Sequence, residues 1–362
     1  MKSICFISNL FPSREDPSFG SFVGLSYQQL KNMGYHVDEP IVINVRLKPF
    51  KKIIAYSQFF LKGIIALMNK KYDLFYIHYL TYSTLCLLPV LPFKKVTYLI
   101  NIHGDDLVGT RLIHKIMGLP SGYVLKHASA VVVPSEYFKT QLLARFPFIC
   151  QKKIVISESG GFKEDIFFPK DKDKTSEPLL HFGYISRVDE GKGWEVMLQA
   201  LSILKQEETD KYTRLTVSVY GAGAQKEKFQ GMVNKLELND IVTYYGPLEQ
   251  SGLGGKYRSF DYFLFPTRRE SFGLVAIESL ACGTPVICSE IEPLTDIIRN
   301  GDNGFLFESG SSDALYEKIV DCFGISKKSY EQLSENALLS ADFFRSVNVS
   351  ERLHQKIESI FH

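Results

Sequence analysis

The stretch Glu270-Ser271-Phe272-Gly273-Leu274-Val275-Ala276-Ile277-Glu278-Ser279-Leu280-Ala281-Cys282-Gly283-Thr284-Pro285-Val286-Ile287 follows a short apolar run, Tyr262 to Pro266. A run of that length bounded by loop residues predicts a buried strand, and the segment from Gly273 onward predicts a helix. In a strand, loop and helix of this order, the backbone N–H groups of Phe272, Gly273 and Leu274 have no acceptor inside the helix. They lie at the positive end of its dipole, which makes an anion site suited to a phosphate. Gly273 allows close approach. Glu278, about one and a half turns into the helix, is placed to accept two hydrogen bonds from a vicinal diol such as a ribose. Glu270, in the loop, is placed to hold sugar hydroxyls. Taken alone, two such glutamates also fit a plain helix with one acid at its positive end and another on its surface.

The same style continues outward in both directions. Ser3 to Ile7, Asp73 to Tyr79, Val96 to Ile102 and Ala130 to Pro134 predict strands, with a helical pattern at Phe22 to Met33. Leu179 to Tyr184, Leu215 to Tyr220, Ile241 to Tyr245 and Pro285 to Cys288 predict further strands, with a helix at Trp194 to Leu204. Strands alternating with helices throughout predict an α/β fold of two doubly wound parallel sheets. A length of 362 residues fits two domains. The boundary is expected at Pro169-Lys170-Asp171-Lys172-Asp173-Lys174-Thr175-Ser176-Glu177-Pro178, which is charged, bracketed by prolines and without large apolar residues. Leu353, Ile357 and Ile360 predict a last amphipathic helix within residues 350–362.

Hydrophobic residues at 45% and charged residues at 23% exclude a disordered chain. The net charge of +2 is too small for a non-specific nucleic-acid binder, so no nucleic-acid partner is expected. That figure conceals an asymmetry. Residues 1–168 hold 20 Lys and Arg against 11 Asp and Glu, a net +9, and the remainder holds 22 against 29, a net −7. A basic half suits a phosphate-rich or anionic-membrane partner.

The six cysteines show no C-x-x-C pair and no zinc spacing, and read as buried free thiols of a reducing compartment. The apolar run at the amino terminus is too short for a signal peptide. Leu74 to Phe93 carries no charge, but His78, Pro89 and Pro92 favour a strand and a short buried helix over a bilayer span.

The block from Glu270 to Ile287 closely resembles the signature of glycosyltransferase family 4, nucleotide-sugar enzymes of the two-domain GT-B fold. Gly183-Tyr184-Ile185-Ser186-Arg187 followed by Lys192-Gly193 resembles the family's Gly-Arg and Lys-Gly pair, whose cations are implied to bind the donor diphosphate. Tyr220-Gly221-Ala222-Gly223, Tyr245-Gly246-Pro247-Leu248 and Asn300-Gly301-Asp302-Asn303-Gly304-Phe305 are similar to further landmarks. In the loop Pro12 to Gly24, Gly20-Ser21-Phe22-Val23 resembles the first glycine loop, and His103-Gly104-Asp105 the active-site His-Gly element. Two departures stand out. Ser159-Gly160-Gly161-Phe162 replaces the usual Asn-Gly-Val-Asp, and the first glycine loop has a single central glycine.

The resemblance implies a GT-B fold, with two Rossmann-like domains facing across a cleft. Residues 1–168 would bind acceptor, residues 169–345 would bind donor, and a helix at about 346–362 would pack back on the first domain. It implies a retaining, metal-independent transfer of a hexose-type sugar from a nucleoside-diphosphate sugar, with uridine favoured as the commoner base. His103, Arg187, Lys192 and Glu270 carry the implied catalysis, without a covalent nucleophile, by front-face departure of the phosphate. The implied donor contacts are Gly20, Gly183, Arg187, Lys192, Leu248, Glu270, Ser271, Phe272, Gly273, Leu274 and Glu278. No cofactor is expected, since Arg187, Lys192 and the helix N-terminus meet the charge on the leaving diphosphate. The one Asp-x-Asp, Asp171-Lys172-Asp173, reads as solvated charge in the linker. Gly221-Ala222-Gly223 departs from a dinucleotide fingerprint at Lys226.

Lys51, Lys52, Lys62, Lys70 and Lys71, with Arg46 and Lys48, flank apolar residues at helical spacing from Phe50 to Met68, and no acid intervenes. This pattern describes an interfacial helix on an anionic bilayer, although a buried helix with basic ends shares it. Charge and resemblance together point to a lipid-diphosphate-linked saccharide acceptor on the cytoplasmic leaflet, as in bacterial O-antigen or capsule synthesis. The protein is then expected to be cytoplasmic and peripheral on the membrane. The alternatives are a GT-B nucleotide-sugar epimerase and a non-catalytic nucleotide-sugar-binding subunit of a synthase; the complete set Arg187, Lys192, Glu270 and Glu278 argues against the latter.

Overall fold

The computed structural model describes residues 1–16, 19–45, 49–109, 116, 118–169 and 179–362. The chain divides into two units, Met1–Gly161 with Val347–His362, and Phe162–Ser346. In the first, β1 (Ser3–Ser8), β2 (His36–Val37), β3 (Ile41–Val42), β4 (Leu74–His78), β5 (Tyr98–Asn101), β6 (Ala130–Val133) and β7 (Ile154–Ile156) form one parallel sheet. Its order is β2-β1-β4-β5-β6-β7, with β3 also beside β1. In the second, β8 (Leu180–Ile185), β9 (Leu215–Tyr220), β10 (Val242–Gly246), β11 (Tyr262–Phe265), β12 (Val286–Ser289) and β13 (Gly304–Phe307) run parallel in the order β10-β9-β8-β11-β12-β13.

Every strand expected from the sequence is present. The runs are apolar at successive positions because helices cover both faces of each sheet. Thus Cys5, Ile7, Phe75, Ile77, Tyr98 and Ile100 fill one core, and Ile4, Phe6, Leu74, Tyr76 and Leu99 fill the core on the opposite face. The strands not foreseen are β2, β3, β7 and β13; at two to four residues they carry too little periodicity to register.

Each sheet reverses its winding beside its first strand, between β1 and β4 and between β8 and β11. Loops at the carboxyl ends of strands flanking such a reversal are where open α/β sheets hold ligands.

Phe162 N–H donates to Phe344 O at 3.1 Å, and Ser346 N–H to Phe162 O at 3.0 Å. Phe162 and Phe167 are buried with Tyr257 and Phe260 in the second unit. The second unit therefore begins ahead of Pro169, because these phenylalanines fill its core. Most of the charged segment, residues 170–178, lies outside the described residues. Helix Ser346–Phe361 buries Leu353 and Ile357 against Ile4, Phe6 and Leu99 of the first unit, each burial contributing roughly 1.5–3 kcal/mol. Arg352 Nη2 pairs with the buried Glu158 Oε2 at 2.6 Å, and Tyr35 donates to Glu358 Oε1 at 2.6 Å.

The uncharged stretch forms β4 and a buried 3-10 turn at Ser83–Leu87. No helix among the described residues is long and apolar enough to cross a membrane. The basic stretch forms helix Pro49–Met68, with one face buried and the other exposed. Phe59, Ala66 and Leu67 are buried against the sheet, whereas Ile53, Ile54, Leu61, Ile65 and Met68 are each more than half exposed beside exposed Lys51, Lys52 and Lys62. Arg46 and Lys48 lie outside the described residues.

Candidate active site

The loop after β8 and the loop after β11 meet in the second unit. Lys192 Nζ lies 3.1 Å from Glu270 Oε2, with the two side chains only 19% and 20% exposed. Backbone contacts hold the loops together. Arg268 N–H donates to Gly191 O at 2.9 Å, and Thr267 Oγ1 lies 3.3 Å from the same carbonyl. A Cβ on Gly193, at φ +73°, would stand 1.7 Å from Pro266 O, so only glycine lets the loops close to this distance.

Glu270 Oε1 accepts the Ser271 N–H at 2.9 Å. Gly273 then caps helix Leu274–Ala281 at φ 97°, a left-handed conformation, without a side-chain cap. Its missing Cβ leaves room for Leu294, whose Cδ2 would be 2.5 Å away. The N–H groups of Phe272, Gly273 and Leu274 find no acceptor among the described residues. The Phe272 ring is buried, 5.7 Å from Phe344, so this residue offers its backbone alone. The ends of two strands thus bring together a cation, a carboxylate and unpaired donors at the positive end of a helix, an arrangement that can bind an anionic group with hydroxyls beside it.

Glu278 is buried instead of lying on the helix surface. Tyr257 donates to its Oε2 at 3.3 Å, and burial pushes its carboxyl up to about 8 against the opposing hydrogen bonds of Tyr257 and Gln250. Arg187 is exposed and pairs with Asp189 Oδ2 at 2.9 Å. Asp189 Oδ1 also accepts the Ala224 N–H at 2.7 Å, tying the loop after β9 to the loop after β8. Val188 N–H donates to Ala222 O in the same junction, which accounts for the Gly221-Ala222-Gly223 turn as loop packing.

Within the second unit, two expected donor contacts stand apart from this cluster. Gly183 lies inside β8, where its missing Cβ accommodates the Phe260 ring, so packing explains this glycine. Leu248 follows β10, at the sheet edge two strands from β8. Asp171-Lys172-Asp173 lies outside the described residues.

In the first unit, His103 follows β5 beneath Phe22 and Tyr79, with ring centroids 4.9 and 4.5 Å away. Phe22 belongs to helix Ser21–Asn32, which Gly20 caps at φ 74°, so the glycine loop and His103 come together. Asp106 carries the join: its carboxylate accepts the His103 N–H at 2.9 Å and the Leu80 N–H at 2.7 Å. Burial pushes Asp106 up to about 6 and His103 down to about 3. His78, at the end of β4, meets His103 Nε2 through its Nδ1 at 2.9 Å.

Thr267, Asp189, Tyr257, Asp106 and His78 escaped the sequence reading. Of these, only His78 left a signal, a polar residue closing the apolar run Leu74 to Ile77.

Residues 162–339 match the sequence model of the family described as Glycosyl transferases group 1. The D-inositol 3-phosphate glycosyltransferase of Arthrobacter sp. (strain FB24) is 30% identical over 160 residues, 42% of this chain and 38% of that protein. The matched region thus spans well under half of that relative. Sucrose-phosphate synthase from Thermosynechococcus elongatus superposes with a TM-score of 0.79 at 19% identity, over 100% of this chain and 99% of the other. Anabaena HepE in complex with UDP and glucose gives 0.75 at 16%, over 99% and 100%. These likenesses establish the fold as GT-B.

Proposed function

We propose that this chain is a retaining glycosyltransferase whose second unit holds a nucleoside-diphosphate sugar. The observation that carries this reading is the Lys192–Glu270 pair beside the unpartnered N–H groups of Phe272, Gly273 and Leu274. The donor diphosphate lies at those N–H groups and is met by Lys192 and Arg187. As the glycosyl–phosphate bond breaks, negative charge grows on the leaving phosphate. Preorganised cations and amide donors stabilise it more than they stabilise the ground state, so the step proceeds without a metal. Glu278 accepts from the ribose diol, and Glu270 holds hydroxyls of a hexose. His103 contacts the transferred sugar. The phosphate leaves from the face on which the acceptor attacks and takes up its proton, which retains the anomeric configuration. A uridine donor is preferred; a UDP-bound protein of the same fold is consistent with it.

The acceptor is a lipid-diphosphate-linked saccharide, as in bacterial surface polysaccharide assembly, reached with helix Pro49–Met68 seated on an anionic membrane. Five exposed apolar residues flanked by lysines support the seating. The relative's name favours a second acceptor, a soluble phosphorylated polyol such as D-inositol 3-phosphate. The family match lies in residues 162–339, the donor unit of this reading, and the acceptor is assigned here to the first unit.

The test incubates purified protein with UDP- and GDP-sugars and either acceptor, with NMR of the product's anomeric centre. Transfer to the lipid-linked acceptor with retention is expected. Transfer only to the polyol would reject the lipid acceptor, and an inverted product the mechanism. Conversion of donor alone to another sugar would favour an epimerase.

A further inference from the structure

His78 is fully buried at the end of β4, with Ser8 of β1 and Asn101 of β5 as its register partners. The rings of Phe6 and Tyr76 lie 4.7 Å from it on centroids, and the His103 ring stacks at 5.1 Å and 19°. Its Nδ1 meets His103 Nε2 at 2.9 Å, whereas its own Nε2 is buried without a hydrogen-bond partner. Burial holds both imidazoles neutral at physiological pH. One shared proton therefore leaves two arrangements. If His103 Nε2–H donates, His78 carries its proton on Nε2, and a buried N–H has no acceptor. If His78 Nδ1–H donates, the orphan is a bare ring nitrogen, and His103 carries its proton on Nδ1. Buried orphan N–H groups are the rarer of the two in folded proteins, so the second arrangement is favoured.

We propose that His78 is a positioning residue that fixes His103 in the Nδ1–H tautomer, so that His103 donates a hydrogen bond to an oxygen of the transferred sugar. This rests on the assignment of His103 to that sugar. An apolar residue in place of His78 would satisfy the Phe6 and Tyr76 rings at least as well, so ring packing alone does not call for a histidine here. An uncharged donor suits a saccharide hydroxyl, which needs direction and not charge.

The test reads the tautomer directly in ligand-free protein labelled with ¹⁵N-histidine, using long-range ¹H–¹⁵N correlation and His103→Gln to assign the signal. His103 is expected as Nδ1–H; an Nε2–H pattern overturns the proposal. His78→Asn, whose amide N–H can stand where Nδ1–H stood, is expected to preserve that pattern and most of the turnover. His78→Phe is expected to fold with an unchanged or higher Tm, release the tautomer, and lower kcat about tenfold with donor KM within about twofold. Unchanged kcat in a folded His78→Phe overturns the proposal. Absence of transfer in the wild-type protein would instead count against the glycosyltransferase reading, since the tautomer is read without substrate.

Discussion

Lys192 and Glu270 are 78 positions apart in sequence, and their side chains meet at 3.1 Å. The carboxylate occupies the lysine, and on the proposed reading the donor diphosphate would compete with it for that cation. Glu270→Gln keeps the shape and removes that competition. UDP affinity, by calorimetry, is expected to hold or tighten while kcat falls at least about tenfold. Lys192→Ala is expected to lower kcat/KM by about 10²–10³, the cost of one preorganised donor. Weaker UDP binding with normal turnover in Glu270→Gln would count against the site.

Gly193 is required by the geometry of the two loops. A Cβ there would fall 1.7 Å from Pro266 O at a positive φ. Gly193→Ala is expected to force the two loops apart and to cost roughly 3 kcal/mol or more in urea denaturation, beyond the ~1 kcal/mol of left-handed strain alone. A loss within 1 kcal/mol would show that the loops are not locked here.

Glu278, raised by burial to about 8, is largely protonated at neutral pH. On the proposed ribose contact, the diol donates best to the ionised form, so binding below pH 8 would also carry the cost of deprotonation. UDP affinity is expected to rise with pH, by at most about tenfold per unit, and to level off above pH 8. Glu278→Gln, which retains the phosphate titration of the ligand, should lose this component, and Glu278→Ala should weaken binding at every pH. Identical slopes in wild type and Glu278→Gln would remove Glu278 from the nucleotide site.

Asp106 joins Leu80 and His103 through their backbone N–H groups, and burial raises its carboxyl to about 6. Because the folded-state value lies above the ordinary one, its stabilisation is fully present below about pH 4 and is lost as pH rises through 6. Asp106→Asn is expected to flatten that slope and, by losing one acceptor, to cost about 1–3 kcal/mol. Urea titrations at several pH values check both.

Helix Pro49–Met68 is the predicted membrane contact. Lys51→Glu with Lys52→Glu should abolish sedimentation with anionic liposomes, and Ile53→Ser with Ile54→Ser should weaken it, in each case leaving transfer to a soluble acceptor intact. Undiminished sedimentation of both variants would assign this face to something other than a bilayer.

Sequence alone determined the alternation of strands and helices, since each core strand is a continuous apolar run and each helix has its own period. It also marked Glu270 and the helix beginning after Gly273, because an anion site at a helix N-terminus is local, whereas Lys192 was marked by its resemblance to a family motif. Tertiary structure alone decided which loops meet. The Lys192–Glu270 pair, the burial of Glu278 under Tyr257 and the Asp106 join depend on strand order, and a parallel sheet brings distant strands together by crossovers that leave no local trace. The same holds for His78, whose neighbours come from β1, β4 and the loop after β5. The boundary at Gly161 followed the core that Phe162 and Phe167 fill, whereas charge in the sequence pointed to Pro169. Burial depends on all the neighbours of a residue, and most of those are far away along the chain.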